Sequence, residues 1–340
     1  MNGKDVMRVA CFGAGYFAQF HYDAWRRIDR AEIVAAVDAD RSRAEATGHP
    51  AFASLDEALG GEAPDLLDVI TPPPTHFETI RTALDRGVKA IICQKPFCSS
   101  LDEARHAVEM AEAAGAQLVV HENYRFQPWY RAIRKEIENG RVGELLQITF
   151  RLRPGDGQGP EAYLDRQPYF QTMEKFLIHE TAIHWIDTFR FLAGEPESVY
   201  ADLRQLNPAI AGEDAGYFIF GYANGMRALF DGNRLLDHAA DNHRLTMGEA
   251  LIEGTAGTLS LFGDGSVTFR AFGDRNSQAV LEARDYQGFA GDCVHALQSH
   301  VVNGLLDGTE IENLAAAYQR NLALEEAVYR SNDAGARVSV

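Results

Sequence analysis

Through residue 120, short apolar runs alternate with stretches of helical periodicity. Val6 to Phe12 is apolar-rich and stops at Gly13, Phe17 to Arg27 reads as a helix, and Glu32 to Val37 (EIVAAV) reads as a second strand. Leu66 to Ile70 (LLDVI), Val88 to Cys93 and Gln117 to Val120 give the third, fourth and fifth strands. Ser54, Thr75 and Ser100 each precede a glutamate by three residues. That spacing predicts capping boxes, in which the hydroxyl accepts from one helix amide and the glutamate reaches back. Gly87 and Gly115 then stop the second and third of these helices. Continuous apolar strands between capped helices predict a parallel sheet covered on both faces, an α/β doubly wound fold.

After about residue 125 the period changes. Leu146 to Arg153 alternates strictly, with one apolar and one polar face. Tyr217 to Ala223, Met226 to Asp231, Arg244 to Glu253, Thr258 to Phe262 and Val267 to Ala271 are further strand candidates separated by Gly or Asn turns. Such alternation predicts a largely antiparallel sheet with one open face. A long helical segment, about Asp292 to Ser331 and broken near Gly304 to Thr309, closes the chain. Two domains are therefore expected, 1–125 and 126–340.

The formal net charge of −17 repels phosphate backbones and anionic lipid, which argues against nucleic acid or a membrane surface as partner. Cys11, Cys93, Cys98 and Cys293 form no disulfide framework, and Cys11 and Cys93 lie in apolar runs, as reduced core thiols of a cytoplasmic protein would. The first residues lead into a glycine turn instead of a cleavage site, so no signal peptide is expected.

Gly13-Ala14-Gly15-Tyr16-Phe17-Ala18 joins the first strand to the first helix and fits G-x-G-x-x-A. Its glycines allow a tight turn and close approach of a pyrophosphate to the helix N-terminus, and Ala18 lets helix and strand pack. The turn, with Tyr16 and Phe17, predicts a Rossmann dinucleotide site. Asp38 ends the second strand, where a carboxylate accepts from the adenosine ribose and repels a 2′-phosphate. Arg41 and Arg43 follow and soften that repulsion; the balance favours NAD over NADP. Thr71, Pro72, Pro73 and His76 follow the third strand, on the rim where ligands of such sheets bind.

Gln94-Lys95-Pro96-Phe97 comes off the fourth strand onto the same rim, and proline restricts the lysine before it. Further on, Ile178, Ala182, Trp185, Ile186, Phe189 and Ala193 recur at helical spacing as an apolar stripe. Glu180, His184 and Asp187 stack on another face, as in an acid–base device with Asp187 available to orient the His184 ring. His179 is an alternative base, and a His/Glu set here leaves a divalent metal open.

The glycine turn, Thr-Pro rim, lysine-proline turn and acidic-x-x-x-His helix together resemble the Gfo/Idh/MocA family of nicotinamide-dependent sugar and polyol dehydrogenases. The resemblance covers essentially the whole chain. It implies a Rossmann domain followed by an α/β domain whose open sheet mediates dimers or tetramers. The family's Glu-Lys-Pro falls on Gln94, Lys95 and Pro96, and its Asp-x-x-x-His on Glu180 to His184. Gln94 thus replaces a glutamate and Glu180 an aspartate; Gln94→Glu is expected to be tolerated. The stretches ICQKPF, HENYRFQPWY, RPGDGQGP, DRQPYF and HETAIHWIDTFR resemble the D-apiose dehydrogenase branch, which implies oxidation of that pentose to its lactone. Asn123, Arg125, Arg153, Asp156 and Tyr163 supply polar groups for a polyhydroxylated ligand, although Arg153 also suits a carboxylate partner. In this reading His184 takes the hydroxyl proton, Lys95 binds the same oxygen, Glu180 assists, and hydride goes to NAD. Another polyol such as an inositol or sugar acid, and a non-catalytic NAD-binding sensor, are the competing readings.

Overall fold

The computed structural model describes residues 5–61 and 63–340. The chain divides into two compact units, one containing residues up to Asn123 plus Val294–Arg320, the other Tyr124–Cys293 plus Asn321–Val340. In the first, apolar strands and capped helices alternate as β1 (Met7–Phe12), α1 (Ala18–Arg26), β2 (Ala31–Val37), α2 (Arg41–Ala46), β3 (Ala51–Phe52), α3 (Leu55–Ala58), β4 (Leu66–Val69), α4 (His76–Asp85), β5 (Ala90–Gln94), α5 (Leu101–Ala113) and β6 (Gln117–His121). The strands pair in parallel in the order β3-β2-β1-β4-β5-β6. The winding reverses between β1 and β4, so the carboxyl ends of those strands form the switch point at which such sheets bind ligands.

Two of the three expected capping boxes form. Ser54 and Ser100 accept from the amides of Glu57 and Glu103, whose carboxylates reach back to the N–H groups of Ala53 and Ser99. The third does not. Thr75 Oγ1 lies 2.6 Å from Thr71 Oγ1 and donates to Pro72 O at 2.9 Å, because Pro73–Thr75 is a 3₁₀ turn that draws the hydroxyl away from the helix end.

The second unit holds α6 (Pro128–Glu138), β7 (Leu145–Leu152), a π-helical turn at Leu177–Ala182 running into α7 (Ile183–Ala193), and the strands β8 (Ser198–Arg204), β9 (Ala215–Gly221), β10 (Arg227–Asn233), β11 (Gly248–Gly254), β12 (Gly257–Leu261), β13 (Val267–Ala271) and β14 (Gln278–Leu281). They form a sheet of order β14-β13-β12-β11-β7-β10-β9-β8 that is antiparallel except where β10 runs parallel to β7. Ile148, Phe150 and Leu152 of β7 are buried. Trp185 of α7 stacks on Phe150 at 4.2 Å, and Phe189 meets Phe218 edge-on. The opposite face is uncovered: Leu251, which pairs with Thr149 of β7, is 44% exposed.

The chain ends in α8 (Phe289–Asp307), α9 (Ala315–Ala334) and β15 (Val338–Ser339), which pairs with β8. The first unit does not end at residue 125 as expected, because most of α8 belongs to it. Gln298 reaches the buried Asp68, Arg30 forks onto Asp307, and Asn313 O accepts from Val120 N beside a Val119–Leu314 bridge that covers the free edge of β6. No helix among the described residues is long and apolar enough to cross a membrane.

Candidate active site

The glycine turn is built to bring a ligand close to backbone. Gly13 has φ +118°, and a Cβ there would lie 3.1 Å from Ile70 C and Thr71 N, so β1 meets the end of β4 only through glycine. At Gly15 a Cβ would meet nothing within 4 Å, which leaves the space a phosphate needs. Ala18 is buried, and Phe17 at the N-cap of α1 contributes no side-chain cap. Asp38 Oδ2 accepts from Ala14 N at 2.8 Å and Oδ1 from Asp40 N at 2.9 Å, which fixes the carboxylate beside the turn. Arg43 pairs with Asp40, and Arg41 with Glu45 and Glu57. Both guanidinium groups therefore have carboxylate partners of their own. Turn, open Gly15 and fixed acid have the chemistry that a dinucleotide site requires.

On the rim, Pro72 is exposed and Pro73 half-buried, whereas His76 is buried. His76 Nε2 donates to Thr71 O at 2.7 Å, and its Nδ1 accepts from Cys98 N at 3.3 Å. Burial pushes its pKa down to about 4, against the smaller opposing effect of its bond to Thr71. His76 thus fastens the rim to the turn that carries Lys95; it is a strut under the cofactor rim. In that turn Gln94 Oε1 accepts from Lys95 N at 2.8 Å, Gln94 Nε2 lies 3.0 Å from His21 Nε2, and the Lys95–Pro96 bond is cis. Lys95 itself is half-buried.

The histidine helix differs from its expected form. Residues 181–189 are all buried, so no face carries a solvated Glu-His-Asp stack. Asp187 does not orient His184. Its Oδ2 and Oδ1 accept from Arg125 Nε and Nη2 at 2.8 and 2.7 Å, and Oδ1 also accepts from Asn321 at 2.8 Å. The His184 ring instead lies flat on Tyr124, centroids 3.8 Å apart and planes within 2°. His179 pairs with Glu325 at 2.7 Å.

Glu180 Oε2 accepts from Thr181 Oγ1 at 2.6 Å and stands 4.0 Å from Arg234 Nη1. Arg234 is a buried guanidinium held by Asp156, Tyr163 and Thr181, and Arg166 shares Asp156. Burial raises the Asp156 pKa, but Arg234 and Arg166 outweigh it and hold the carboxyl below its usual range. Asp156 and Tyr163 are thus drawn together with Glu180 around one cation. Arg153 goes to Leu152 O and to the backbone and carboxylate of Asp231, the carboxylate reading that the sequence left open. Asn123 is buried at the end of the first unit.

Sequence reasoning missed Arg234, Thr181, Tyr124, His21 and Asp68. Asp68 left a signal, a lone carboxylate inside the apolar run LLDVI; Arg234 left none. Among the described residues no group of three or more His, Cys, Asp or Glu side chains is set to hold a metal ion.

A glycine-turn cradle with a fixed acid, ahead of a unit carrying a buried histidine and a polar cluster, defines a nicotinamide-dependent oxidoreductase. The family model described as an oxidoreductase family with NAD-binding Rossmann fold matches residues 7–122, and that of the GFO/IDH/MocA C-terminal domain matches 130–260. The chain belongs to the Gfo/Idh/MocA oxidoreductase family. Among its relatives, a D-apiose dehydrogenase from Paraburkholderia graminis is 32% identical over 97% of this chain and 89% of its own. Another D-apiose dehydrogenase, from Rhizobium rhizogenes, is 29% identical over 98% of this chain and 97% of its own. An oxidoreductase from Agrobacterium radiobacter, crystallised with NAD+, L-tartaric acid and magnesium, superposes with a TM-score of 0.88 at 26% identity, covering 98% of each chain.

Proposed function

We propose that this NAD-dependent oxidoreductase oxidises a small neutral sugar, D-apiose, at its anomeric hydroxyl to give the lactone. NAD+ supplies the hydride acceptor. His184 takes the proton of the reacting hydroxyl as general base, and Lys95 donates a hydrogen bond to its oxygen and stabilises the negative charge that develops there. Glu180, with Arg234 behind it, binds substrate hydroxyls. The charges of that cluster, Arg234 and Arg166 against Asp156 and Glu180, cancel, which suits an uncharged ligand over an acid. The carrying observation is the mounting of His184: a buried imidazole held flat against Tyr124, in a chain similar over nearly its whole length to D-apiose dehydrogenases. A rigid mount is what a base needs in order to meet one hydroxyl in one geometry.

The uncovered sheet face with Leu251 supports a homo-oligomer, and four free buried thiols support a cytoplasmic setting. The test is NADH fluorescence on mixing NAD+ with D-apiose, other aldoses, inositols and sugar acids. The reading expects D-apiose to give the highest kcat/KM, with a lactone as product. A higher value for an inositol or a sugar acid overturns the substrate assignment, and no reduction of NAD+ by any of them overturns the dehydrogenase reading.

A further inference from the structure

We propose that His21 and Asp68 are positioning residues for Lys95, acting through the amide of Gln94. One orientation forces the rest. Because the Lys95 backbone N–H donates to Gln94 Oε1 at 2.8 Å, the Gln94 amide cannot be turned over, and its NH₂ group must face His21 Nε2 at 3.0 Å. A His21 Nε2 that accepts leaves the ring proton on Nδ1, and Nδ1 lies 2.8 Å from Asp68 Oδ2. Trp25 Nε1 donates to that same oxygen at 2.7 Å. His21, Asp68 and Trp25 are buried, as is Gln94 at 8% exposure, and the His121 ring packs against His21 at 4.2 Å. The chain Asp68, His21, Gln94 therefore ends on the backbone of the turn that carries the lysine. His76 holds the other end of the turn through Cys98 N.

The same geometry gives Gln94 a specific role. A glutamate there would set a carboxylate against the bare His21 Nε2, two acceptors facing each other, unless a proton were taken up between them. Gln94→Glu, expected to be tolerated, should on this geometry become proton-dependent. The titratable groups on that face of the sheet are Asp68 on β4, Cys11 on β1 and His121 on β6, with Lys95 next in the chain; burial keeps the Cys11 thiol protonated. The protonated form of Gln94→Glu keeps the bond, so its kcat relative to wild type should fall as pH rises.

The inference rests on the reading of Lys95 as the group that meets the substrate oxygen, and the experiment separates the two. The lysines are Lys4, Lys89, Lys95, Lys135 and Lys175, so ¹⁵N-lysine labelling gives a spectrum in which Lys95 is identified by its loss in Lys95→Met. In ligand-free Asp68→Asn, which keeps the shape of the side chain, and in His21→Ala, the Lys95 amide resonance should move while those of Lys135 and Lys175 stay. With NAD+ and D-apiose, both variants should lose about 10- to 100-fold in kcat, the scale of a misplaced catalytic group, with KM little changed. An unmoved Lys95 amide in both variants, or a Gln94→Glu profile parallel to wild type, overturns the positioning role. A moved amide together with full turnover by Lys95→Met overturns the reading of the lysine and leaves the positioning intact.

Discussion

Asp187 and Arg125 form a two-bond fork, Oδ2 to Nε at 2.8 Å and Oδ1 to Nη2 at 2.7 Å, with side chains 1% and 15% exposed. Breaking such a pair from one side leaves a charge with little solvent. Asp187→Ala should therefore cost on the order of 3 kcal/mol in urea unfolding. Turnover per folded molecule should stay within a few-fold of wild type, because the carboxylate serves Arg125 and not His184. A variant of full stability and collapsed kcat would restore Asp187 to the role its helical spacing suggested.

His184→Ala should lower kcat by roughly 10²- to 10⁴-fold, the usual worth of a general base. NAD+ affinity, measured by titration, should hardly change. Near-normal turnover would remove His184 from the mechanism.

For Lys95→Met the expectation is a parallel fall in kcat and kcat/KM, because the contact strengthens as the oxygen gains charge. The loss should be on the order of 3 kcal/mol, as for removal of one donor to a developing oxyanion. A rise in KM alone would make the lysine a ground-state binding group.

NAD+ should bind more tightly than NADP+, and Asp38→Ser should narrow the gap by removing the carboxylate that repels a 2′-phosphate. Arg41 and Arg43 pair with acids of their own, so the proposal assigns this choice to Asp38. Fluorescence titration of both cofactors measures it, and a wild-type preference for NADP+ would reverse the assignment.

His76 makes the fold acid-sensitive. Its folded pKa of about 4 lies below the ordinary histidine value of 6.5. Between those values the unfolded chain binds a proton that the native state refuses, so stability is present above the unfolded pKa and drains away as pH falls. From pH 7 to pH 5 this amounts to about 2 kcal/mol. Gln at this position offers a neutral donor and acceptor, so denaturant midpoints for His76→Gln should fall less steeply over that range.

Apolar runs and glycine stops placed the main strands of the parallel sheet within a residue or two, because buried strands and tight turns are local properties. β3 and β15, two residues each, carry no pattern to read, and β8 and β14 were also missed. At the site, local chemistry was legible and partnership was not. The glycine turn, Asp38 and the lysine-proline turn announce themselves within a few residues. Asp187 finds Arg125 across 62 positions and Asn321 across 134, and helical spacing says nothing about what stands opposite. The Thr75 box failed because the turn through Pro73 and Pro74 brings the Pro72 carbonyl within reach of its hydroxyl.

The return of Val294–Arg320 to the nucleotide unit has a consequence for biosynthesis. The strands up to β6 leave the ribosome while the helix bearing Gln298 and Asp307, and the segment that covers β6, are still untranslated. At ordinary elongation rates the delay is roughly ten to forty seconds. During that interval β6 is an unpaired edge and Arg30 lacks its carboxylate. A nascent chain truncated after Asn123 should therefore be protease-sensitive and chaperone-bound, and the dinucleotide unit cannot be transplanted as a simple N-terminal cassette.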